Sequence, residues 1–353
     1  MKKILILVIL ILFPINVSAT IVTASSACLM EIDSNRILYE INAHDKRLIA
    51  SITKIMTAVL AIESNRLNEI VTVGQEVLTM YGSNIYIELN EQMLLIDLLY
   101  GLLLRSGNDA AVVIATFIAG SEEKFVEMMN EKAKELGMND TVYHNSHGLD
   151  EETQNYSTAY DQALLSSYAF SLKDYREITA TKKYYVSSDK KSYVWHNRNK
   201  LLSLYEYATG GKTGYTPKAG RTLVTNASKG NLNLTAVTLN DGNEYNSHKN
   251  MYGYGFNNYD NFLIINKNNF KISKNYFNDV LYINNNFTYP LTEEEQESLL
   301  VKIKITKTKK YQTGDIVGKL EIVLNKEKIY EDFIYVKVIN KKTLLQKIFS
   351  FFK

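Results

Sequence analysis

The chain has 353 residues, of which 46% are hydrophobic and 22% charged, with 40 basic and 38 acidic residues. This length and hydrophobicity suffice to bury a sizeable core, more readily as two domains than as one, which excludes a disordered or fibrous protein. A single cysteine, Cys28, excludes an internal disulfide and a multi-cysteine metal site, and we predict it to be a core residue on a strand. The sequence contains neither a nucleic-acid-binding motif nor a phosphate-binding glycine loop, so we expect no nucleic acid as a partner.

The first 19 residues have the layout of a secretory signal peptide. Lys2 and Lys3 precede an apolar run over 4–13, and Val17-Ser18-Ala19 supplies the small residues for cleavage after Ala19. A retained N-terminal anchor is the alternative, but the run is shorter than the roughly 20 residues that a membrane span needs. Both alternatives predict that the protein functions outside the cytoplasm.

The next 240 residues predict an α+β domain. Residues 27–41 form a strand pair around an Asp33-Ser34-Asn35 turn, and strand character returns after Lys212, with neighbouring strands over 221–227 and 232–239. Between them, apolar spacings and density predict helices over 51–64, 94–104, 110–119, 125–136 and 159–172. We therefore expect a helical cluster inserted between sheet elements from both ends of a domain spanning 20–260.

A separate, all-β domain is predicted over 261–340. There Val301, Ile303 and Ile305 alternate with polar residues, the pattern of a strand with one buried face. The last residues, 341–353, place Leu and Phe on one helical face with Lys around the other, which suits a helix lying on the outer face of the cytoplasmic membrane. Docking of this helix on the β domain is the alternative.

Three short motifs indicate the chemistry. In Ser51-Ile52-Thr53-Lys54 the hydroxyl and the amine share one helical face, and a desolvated lysine can take the proton of a serine nucleophile. Ser106-Gly107-Asn108, between two apolar helices, offers a hydroxyl and a carboxamide for proton relay and substrate binding. In Lys212-Thr213-Gly214, placed at the start of a strand, the lysine points into a cleft, the threonine binds an anion and the glycine permits close approach of a substrate backbone.

Ser-x-x-Lys is a weak signal by itself, since it also begins at Ser121, Ser187, Ser188 and Ser350. Ser-x-Asn recurs at Ser273 and is weak too, whereas Lys-Thr-Gly occurs only once. Their order and spacing together match the penicillin-recognising signature. The sequence resembles the low-molecular-mass penicillin-binding proteins, serine D-Ala-D-Ala carboxypeptidases of peptidase family S11. Similar blocks lie at 50–58, 105–111, 146–150, 156–159 and 211–220.

The resemblance implies a transpeptidase-type fold and a role for each motif residue. Ser51 would form an acyl-enzyme with Lys54 as its base, and Ser106 with Lys212 would pass a proton to the leaving D-alanine. Asn108 would orient the substrate amide. The substrate-binding set is completed by Thr213 and Gly214, and by Tyr215, whose N–H would form the oxyanion hole with that of Ser51. The implied substrate is the D-Ala-D-Ala end of peptidoglycan stem pentapeptides, and β-lactams would be covalent inhibitors.

The chain departs from the family pattern at one position. Relatives carry a carboxylate-binding arginine about a dozen residues before a Gly-Phe pair, here Gly255-Phe256, but this chain has Glu244 there. The nearby His248 is our candidate substitute for binding the substrate carboxylate. His144 and His147 lack a third ligand for a zinc pattern, so we expect no metal and no cofactor and interpret the pair as loop-bracing side chains.

Three alternatives stay open. A β-lactamase needs a base that releases the acyl group; Glu151 and Asn155 have a suggestive spacing, although the region fits the Gly148-Leu149-Asp150 block better. A D,D-endopeptidase that cuts crosslinks would use the same residues as a carboxypeptidase. A non-catalytic wall-binding scaffold is disfavoured by the complete set of three motifs.

Overall fold

The computed structural model describes residues 22–272, 276–277 and 279–339. The predicted signal peptide over 1–19 and the predicted terminal helix over 341–353 lie outside these residues. In the part of the chain described, no helix has the length and hydrophobicity to cross a membrane. Two units follow one another along the chain, an α+β unit and a β-rich unit, which confirms the predicted fold class.

The α+β unit alternates short strands with buried helices. Its strands are β1 (Ser26–Glu31), β2 (Ile37–Ile41), β3 (Arg47–Leu48), β4 (Ile70–Thr72), β5 (Gln92–Leu94), β6 (Tyr156–Ser157), β7 (Lys183–Ser187), β8 (Ser192–His196), β9 (Ala208–Thr216), β10 (Gly220–Lys229) and β11 (Leu232–Leu239). Its helices are α1 (Lys54–Glu63), α2 (Leu95–Tyr100), α3 (Asn108–Ala119), α4 (Glu122–Glu135), α5 (Ala159–Ser171), α6 (Lys173–Ala180), α7 (Leu201–Leu204) and α8 (Glu244–Asn258). Two short 3₁₀ helices lie at Ala50–Thr53 and Gln75–Thr79, and a π-helical turn lies at Gly101–Arg105.

The central sheet is antiparallel with the strand order β2-β1-β11-β10-β9. The N-terminal hairpin therefore joins strands from the far end of the unit, as the sequence predicts. Alternate side chains face opposite sides of a strand. Cys28 and Val224 pack into the core of the helical cluster, whereas Leu29 and Ala227 pack into a second core with Tyr252 of α8. Cys28 is a fully buried strand residue, as predicted.

The helix α1 explains why the helical cluster is so apolar. Nine of its ten residues are buried, so it is enclosed on all sides rather than lying on the surface. It contacts α3 and α5, and the turn before it contacts β9. This places the first motif at the junction of the helical cluster and the sheet edge.

The β-rich unit contains β12 (Asp260–Ile265), β13 (Val280–Tyr282), β14 (Phe287–Leu291), α9 (Glu293–Ser298), β15 (Leu300–Ile305), β16 (Ile316–Leu324) and β17 (Glu327–Lys337). Its main sheet has the order β13-β17-β16-β15. The prediction of a buried face on β15 is wrong, since Val301 and Ile303 are 47% and 43% exposed. The strand lies at the sheet edge, and the core is centred on β16 and β17, so alternation along the sequence does not translate into burial here.

Candidate active site

Ser51 lies in the 3₁₀ turn Ala50–Thr53, which leads directly into α1. Residues three apart lie above one another in such a turn. The Lys54 Nζ is 3.1 Å from the Ser51 Oγ, and the lysine side chain is fully buried. The first motif therefore forms the serine–lysine pair that the sequence predicts.

The surroundings of Lys54 favour its neutral form. Burial lowers its pKa well below the ordinary value, and the charges of Lys212 and Arg198 lower it further against the opposing effect of Asp109. Its Nζ donates to the Asn108 Oδ1 at 2.7 Å and to the His147 carbonyl oxygen. A neutral amine has two N–H donors and one lone pair. In the neutral form, with its two N–H groups directed to Asn108 and His147, Lys54 would accept a hydrogen bond from the Ser51 hydroxyl.

Ser106 faces the same centre from the helical cluster. It ends the π-helical turn with a left-handed backbone (φ 65°), which stops the helix and places the hydroxyl at the cleft. The Lys212 Nζ lies 3.0 Å from its Oγ and donates to the Thr213 carbonyl oxygen at 2.6 Å. Burial, followed by the charge of Arg198, lowers the pKa of Lys212 to about 7. This second amine can thus donate or accept a proton near neutral pH.

Asn108 connects the second motif to the loop on the opposite wall. Its Nδ2 donates to the Tyr81 carbonyl oxygen at 2.7 Å, while its Oδ1 receives the Lys54 amine. Next to it, the Asp109 carboxylate accepts from the backbone N–H groups of 85–87 at 2.7–3.3 Å. Asp109 is therefore a structural residue, and burial raises its pKa.

The third motif lies in the middle of β9, not at the start of a strand as predicted, because the strand already begins at Ala208. Gly214 packs directly against the first motif. A Cβ at this position would lie 2.4 Å from the Thr222 Oγ1 and 2.9 Å from the Ser51 backbone nitrogen. Only glycine permits this approach, which aligns the β9 backbone with the N–H of Ser51.

A cavity of about 430 Å³ opens beside the nucleophile candidate. Ser51, Ser106, Thr213, Gly214 and Tyr215 all line it. The structure thus brings together these five predicted residues. The buried side chains of Lys54 and Lys212 hydrogen-bond to Ser51 and Ser106, and the buried Asn108 hydrogen-bonds to Lys54. The catalytic and binding roles that the sequence suggests for this group stay predictions.

Two residues of this cavity, Arg198 and Arg221, were missed by the sequence analysis. Arg198 donates to the Ser83 Oγ at 2.8 Å, and its own pKa is lowered by burial and then by Arg105. Arg221 lies directly opposite Tyr215 in the β9–β10 pairing. That register, had it been assigned from the predicted strands, would have indicated Arg221 as a neighbour of the third motif.

The structure does not bring His248 to this cavity. The side chain is fully buried between α8 and the sheet, with its ring nitrogens 2.6 Å from the Thr225 Oγ1 and 3.1 Å from the Thr238 Oγ1. Burial lowers its pKa to about 3, against the opposing charge of Asp241. A neutral ring with both nitrogens engaged cannot bind a carboxylate, so the predicted substitute contact is corrected.

His144 and His147 brace the loop over 144–155, as predicted. The His147 Nδ1 accepts from the Leu149 N–H at 3.1 Å, and the His144 Nδ1 lies 2.8 Å from the Gln154 carbonyl oxygen. Over the described ranges, no group of three or more His, Cys, Asp or Glu side chains is arranged to hold a metal ion. This bracing keeps the His147 carbonyl oxygen in place to accept a hydrogen bond from the Lys54 Nζ.

A serine–lysine pair at the start of a buried helix, a Ser-x-Asn turn and a facing Lys-Thr-Gly strand define the class of penicillin-binding serine peptidases. Residues 14–243 match the peptidase S11 family model, described as D-alanyl-D-alanine carboxypeptidase. Residues 259–345 match the C-terminal domain of penicillin-binding protein 5. The chain belongs to the D-alanyl-D-alanine carboxypeptidase family of penicillin-binding proteins.

Individual relatives agree with this assignment. The chain is 39% identical over 223 residues to the D-alanyl-D-alanine carboxypeptidase DacF of Bacillus subtilis, a match covering 61% of the chain and 57% of that protein. It is 34% identical over 261 residues to DacC of Escherichia coli, covering 68% and 63%. The chain thus spans less than two thirds of these curated relatives. Penicillin-binding protein 5 from Haemophilus influenzae has a similar structure, with a TM-score of 0.76 and 26% identity over 90% of this chain and 97% of that one.

Proposed function

We propose that the protein is a serine D-Ala-D-Ala carboxypeptidase that removes the terminal D-alanine from peptidoglycan stem pentapeptides. The observation that carries this proposal is the position of the fully buried Lys54 Nζ, which lies 3.1 Å from the Ser51 Oγ and also contacts the Asn108 Oδ1 and the His147 carbonyl oxygen. A base of this kind is what a serine nucleophile requires. The family membership supports the reaction and the substrate class.

Acylation begins when the Ser51 Oγ attacks the carbonyl carbon between the two D-alanines and its proton passes to the Lys54 Nζ. The backbone N–H groups of Ser51 and Tyr215 stabilise the oxyanion, a contribution of about 3 kcal/mol per donor. The peptide C–N bond then breaks as Ser106 and Lys212 deliver a proton to the leaving amine.

Water completes the cycle by attacking the ester on Ser51: its hydroxyl joins the acyl group of the shortened peptide and its proton passes to the serine oxygen. The proton that Lys54 took from Ser51 restores the one that Ser106 and Lys212 gave to the leaving amine. A β-lactam presents a strained amide to the same nucleophile and forms a longer-lived ester. These steps consist of proton transfers among side chains and one covalent bond to oxygen, so they draw on no cofactor. The segment 264–353 has a net positive charge, with 16 Lys against 10 acidic residues. This charge supports a location at an anionic envelope surface.

We further propose secretion through residues 1–19, catalysis by residues 20–260, a β domain over 261–340 and membrane attachment by the helix 341–353. The Lys and Phe/Leu pattern of the terminal helix supports the attachment. Flotation of residues 20–353 with anionic vesicles tests it, with residues 20–340 as the matched control. Equal flotation of both chains would contradict attachment through this helix.

The test of function offers residues 20–353 three substrates: a stem pentapeptide, a crosslinked peptide dimer and a chromogenic cephalosporin. We expect D-alanine release from the pentapeptide to exceed the other two reactions, to vanish in Ser51→Ala and to persist in Ser64→Ala, a serine at the far end of α1. Faster cleavage of the dimer would identify an endopeptidase, and rapid drug turnover a β-lactamase. A chain inert to all three would be the non-catalytic scaffold.

A further inference from the structure

The cavity beside Ser51 has a strongly positive wall. Arg105, Arg198, Lys200 and Arg221 line it, and its lining among the described residues includes no carboxylate. A low-dielectric cleft lined by one sign of charge concentrates the opposite charge. The ligand that fits next to the nucleophile is therefore an anion, and the leaving D-alanine of the proposed reaction carries one at its C-terminus.

Arg221 is presented toward this cleft by the pairing of β9 with β10. Its partner in the register is Tyr215, and the next pair on the same face joins Thr213 with Leu223. The guanidinium carbon lies 5.6 Å from the centre of the Tyr215 ring. Arg221 thus shares one face of the sheet edge with Tyr215 and with Thr213 of the third motif, and its side chain is 58% exposed and accessible to a ligand.

Glu244 forms an ion pair with this arginine. It lies in the first turn of α8, only 11% exposed, with its Oε1 3.6 Å from the Arg221 Nη1. This separation is longer than an N–H···O hydrogen bond of 2.7–3.2 Å. The carboxylate therefore attracts the guanidinium while leaving N–H donors of its planar fork free for a second carboxylate.

The neighbouring cation has a different setting. Arg198 is exposed as well, but it donates to the Ser83 Oγ, and its charge lowers the pKa of Lys212. It is thus tied to the proton-transfer pair, whereas Arg221 lies at the accessible mouth of the cavity. Thr213 and Arg221 both line the cavity, so a carboxylate bound there can contact both side chains.

We propose that Arg221, oriented by the buried carboxylate of Glu244, binds the terminal carboxylate of the leaving D-alanine. This assignment rests on the proposed carboxypeptidase function and names the residue that selects a C-terminal acid. The cationic group comes from strand β10, and the acidic residue on α8 positions it. Arg221 is a binding residue, and Glu244 is a positioning residue that acts through it.

The test compares two pentapeptides that differ only at the C-terminus, one ending in a carboxylate and the other in a carboxamide. In the wild type we expect kcat/KM to favour the acid. Arg221→Gln should lower kcat/KM for the acid about 10- to 100-fold, the value of a charge-assisted bidentate pair, and change it less than about threefold for the amide. For the acid, kcat/KM of Arg221→Lys should lie between the values of the wild type and of Arg221→Gln, because lysine keeps the charge but lacks the planar guanidinium fork.

Glu244→Gln should raise KM for the acid a few-fold with little change in kcat or in the amide reaction. The exchange Arg221→Glu with Glu244→Arg places the guanidinium on α8 and should recover part of the preference for the acid. Arg66→Gln, from a partly exposed Arg66–Glu69 pair that does not line the cavity, is the matched control. Circular dichroism confirms that each variant is folded before kinetics.

Equal losses on acid and amide in Arg221→Gln, or an unchanged acid preference, would overturn the assignment. If the wild type released no D-alanine, the proposed function would fail separately. The acid preference would then be measured as the ratio of the rates at which a penicillin and its methyl ester acylate Ser51. A preference for the free acid that Arg221→Gln removes would support the carboxylate site, and one that it leaves intact would refute it.

Discussion

Lys212→Met is expected to make the fold more stable at neutral pH. Burial and the charge of Arg198 lower the pKa of Lys212 from 10.5 to about 7, whereas in the unfolded chain it stays near 10.5. Between these values the unfolded state binds more protons, so the free energy of unfolding of the wild type rises with pH. The proton-linked cost of burying the amine is about 4 kcal/mol at pH 7 and about 1 kcal/mol at pH 10.

Methionine fills a similar volume without this cost, but it removes hydrogen bonds to the Ser106 Oγ and the Thr213 carbonyl oxygen, about 1 kcal/mol each. The variant should therefore be about 2 kcal/mol more stable than the wild type at pH 7 and about 1 kcal/mol less stable at pH 10. Its D-alanine release should fall at least about 100-fold, since the proton route to the leaving group is lost.

Urea unfolding at both pH values measures the difference, with Lys302→Met on the exposed strand β15 as the control. The control should change stability little and equally at both pH values. A Lys212→Met variant that is less stable at pH 7, or a difference independent of pH, would show that the amine is charged and well paired in the folded protein.

Three further changes probe the same centre. Lys54→Arg should slow penicillin acylation of Ser51 at least about 100-fold, because a guanidinium stays protonated and cannot act as the base; a rate within tenfold of the wild type, by stopped-flow labelling, would contradict this role. Gly214→Ala should separate β9 from Ser51 and cost about 1–3 kcal/mol in thermal stability as well as most of the acylation rate, since its Cβ meets the Thr222 Oγ1 at 2.4 Å. Asp109→Ala leaves the buried N–H groups of 85–87 unpaired and should cost at least about 2 kcal/mol in urea unfolding, whereas a loss below about 0.5 kcal/mol would show that the loop keeps its partners.

Sequence periodicity and motif order predicted much of this molecule. The N-terminal hairpin, the enclosed helix α1 and the strands β10 and β11 lie where the pattern of apolar residues places them, because burial decides these elements. The three motifs come together as the resemblance implies. Local spacing was sufficient for the Ser51–Lys54 pair, which lies within a single turn.

The features that escaped prediction depend on register or on tertiary position. Arg221 enters the cavity only through its pairing with Tyr215, and nothing in its local sequence marks it. The prediction for His248 rests on the likeness of the segment 243–248 to an acidic or aromatic cluster with a histidine in some relatives, but its ring packs against Thr225 and Thr238 of the sheet, away from the cavity. The edge strand β15 shows alternation without burial, because a core position requires a covering layer as well as a pattern.

The central claim is that Ser51 is the nucleophile of an acyl-transfer reaction on D-Ala-D-Ala peptides. Intact-protein mass spectrometry of residues 20–353 after exposure to a penicillin, followed by peptide mapping, tests it most directly. The proposed mechanism predicts one adduct with the mass of the whole drug, located on Ser51 and absent from Ser51→Ala, and D-alanine release that the drug blocks in proportion to labelling. An unlabelled wild type, or an adduct that survives in Ser51→Ala, would contradict the claim.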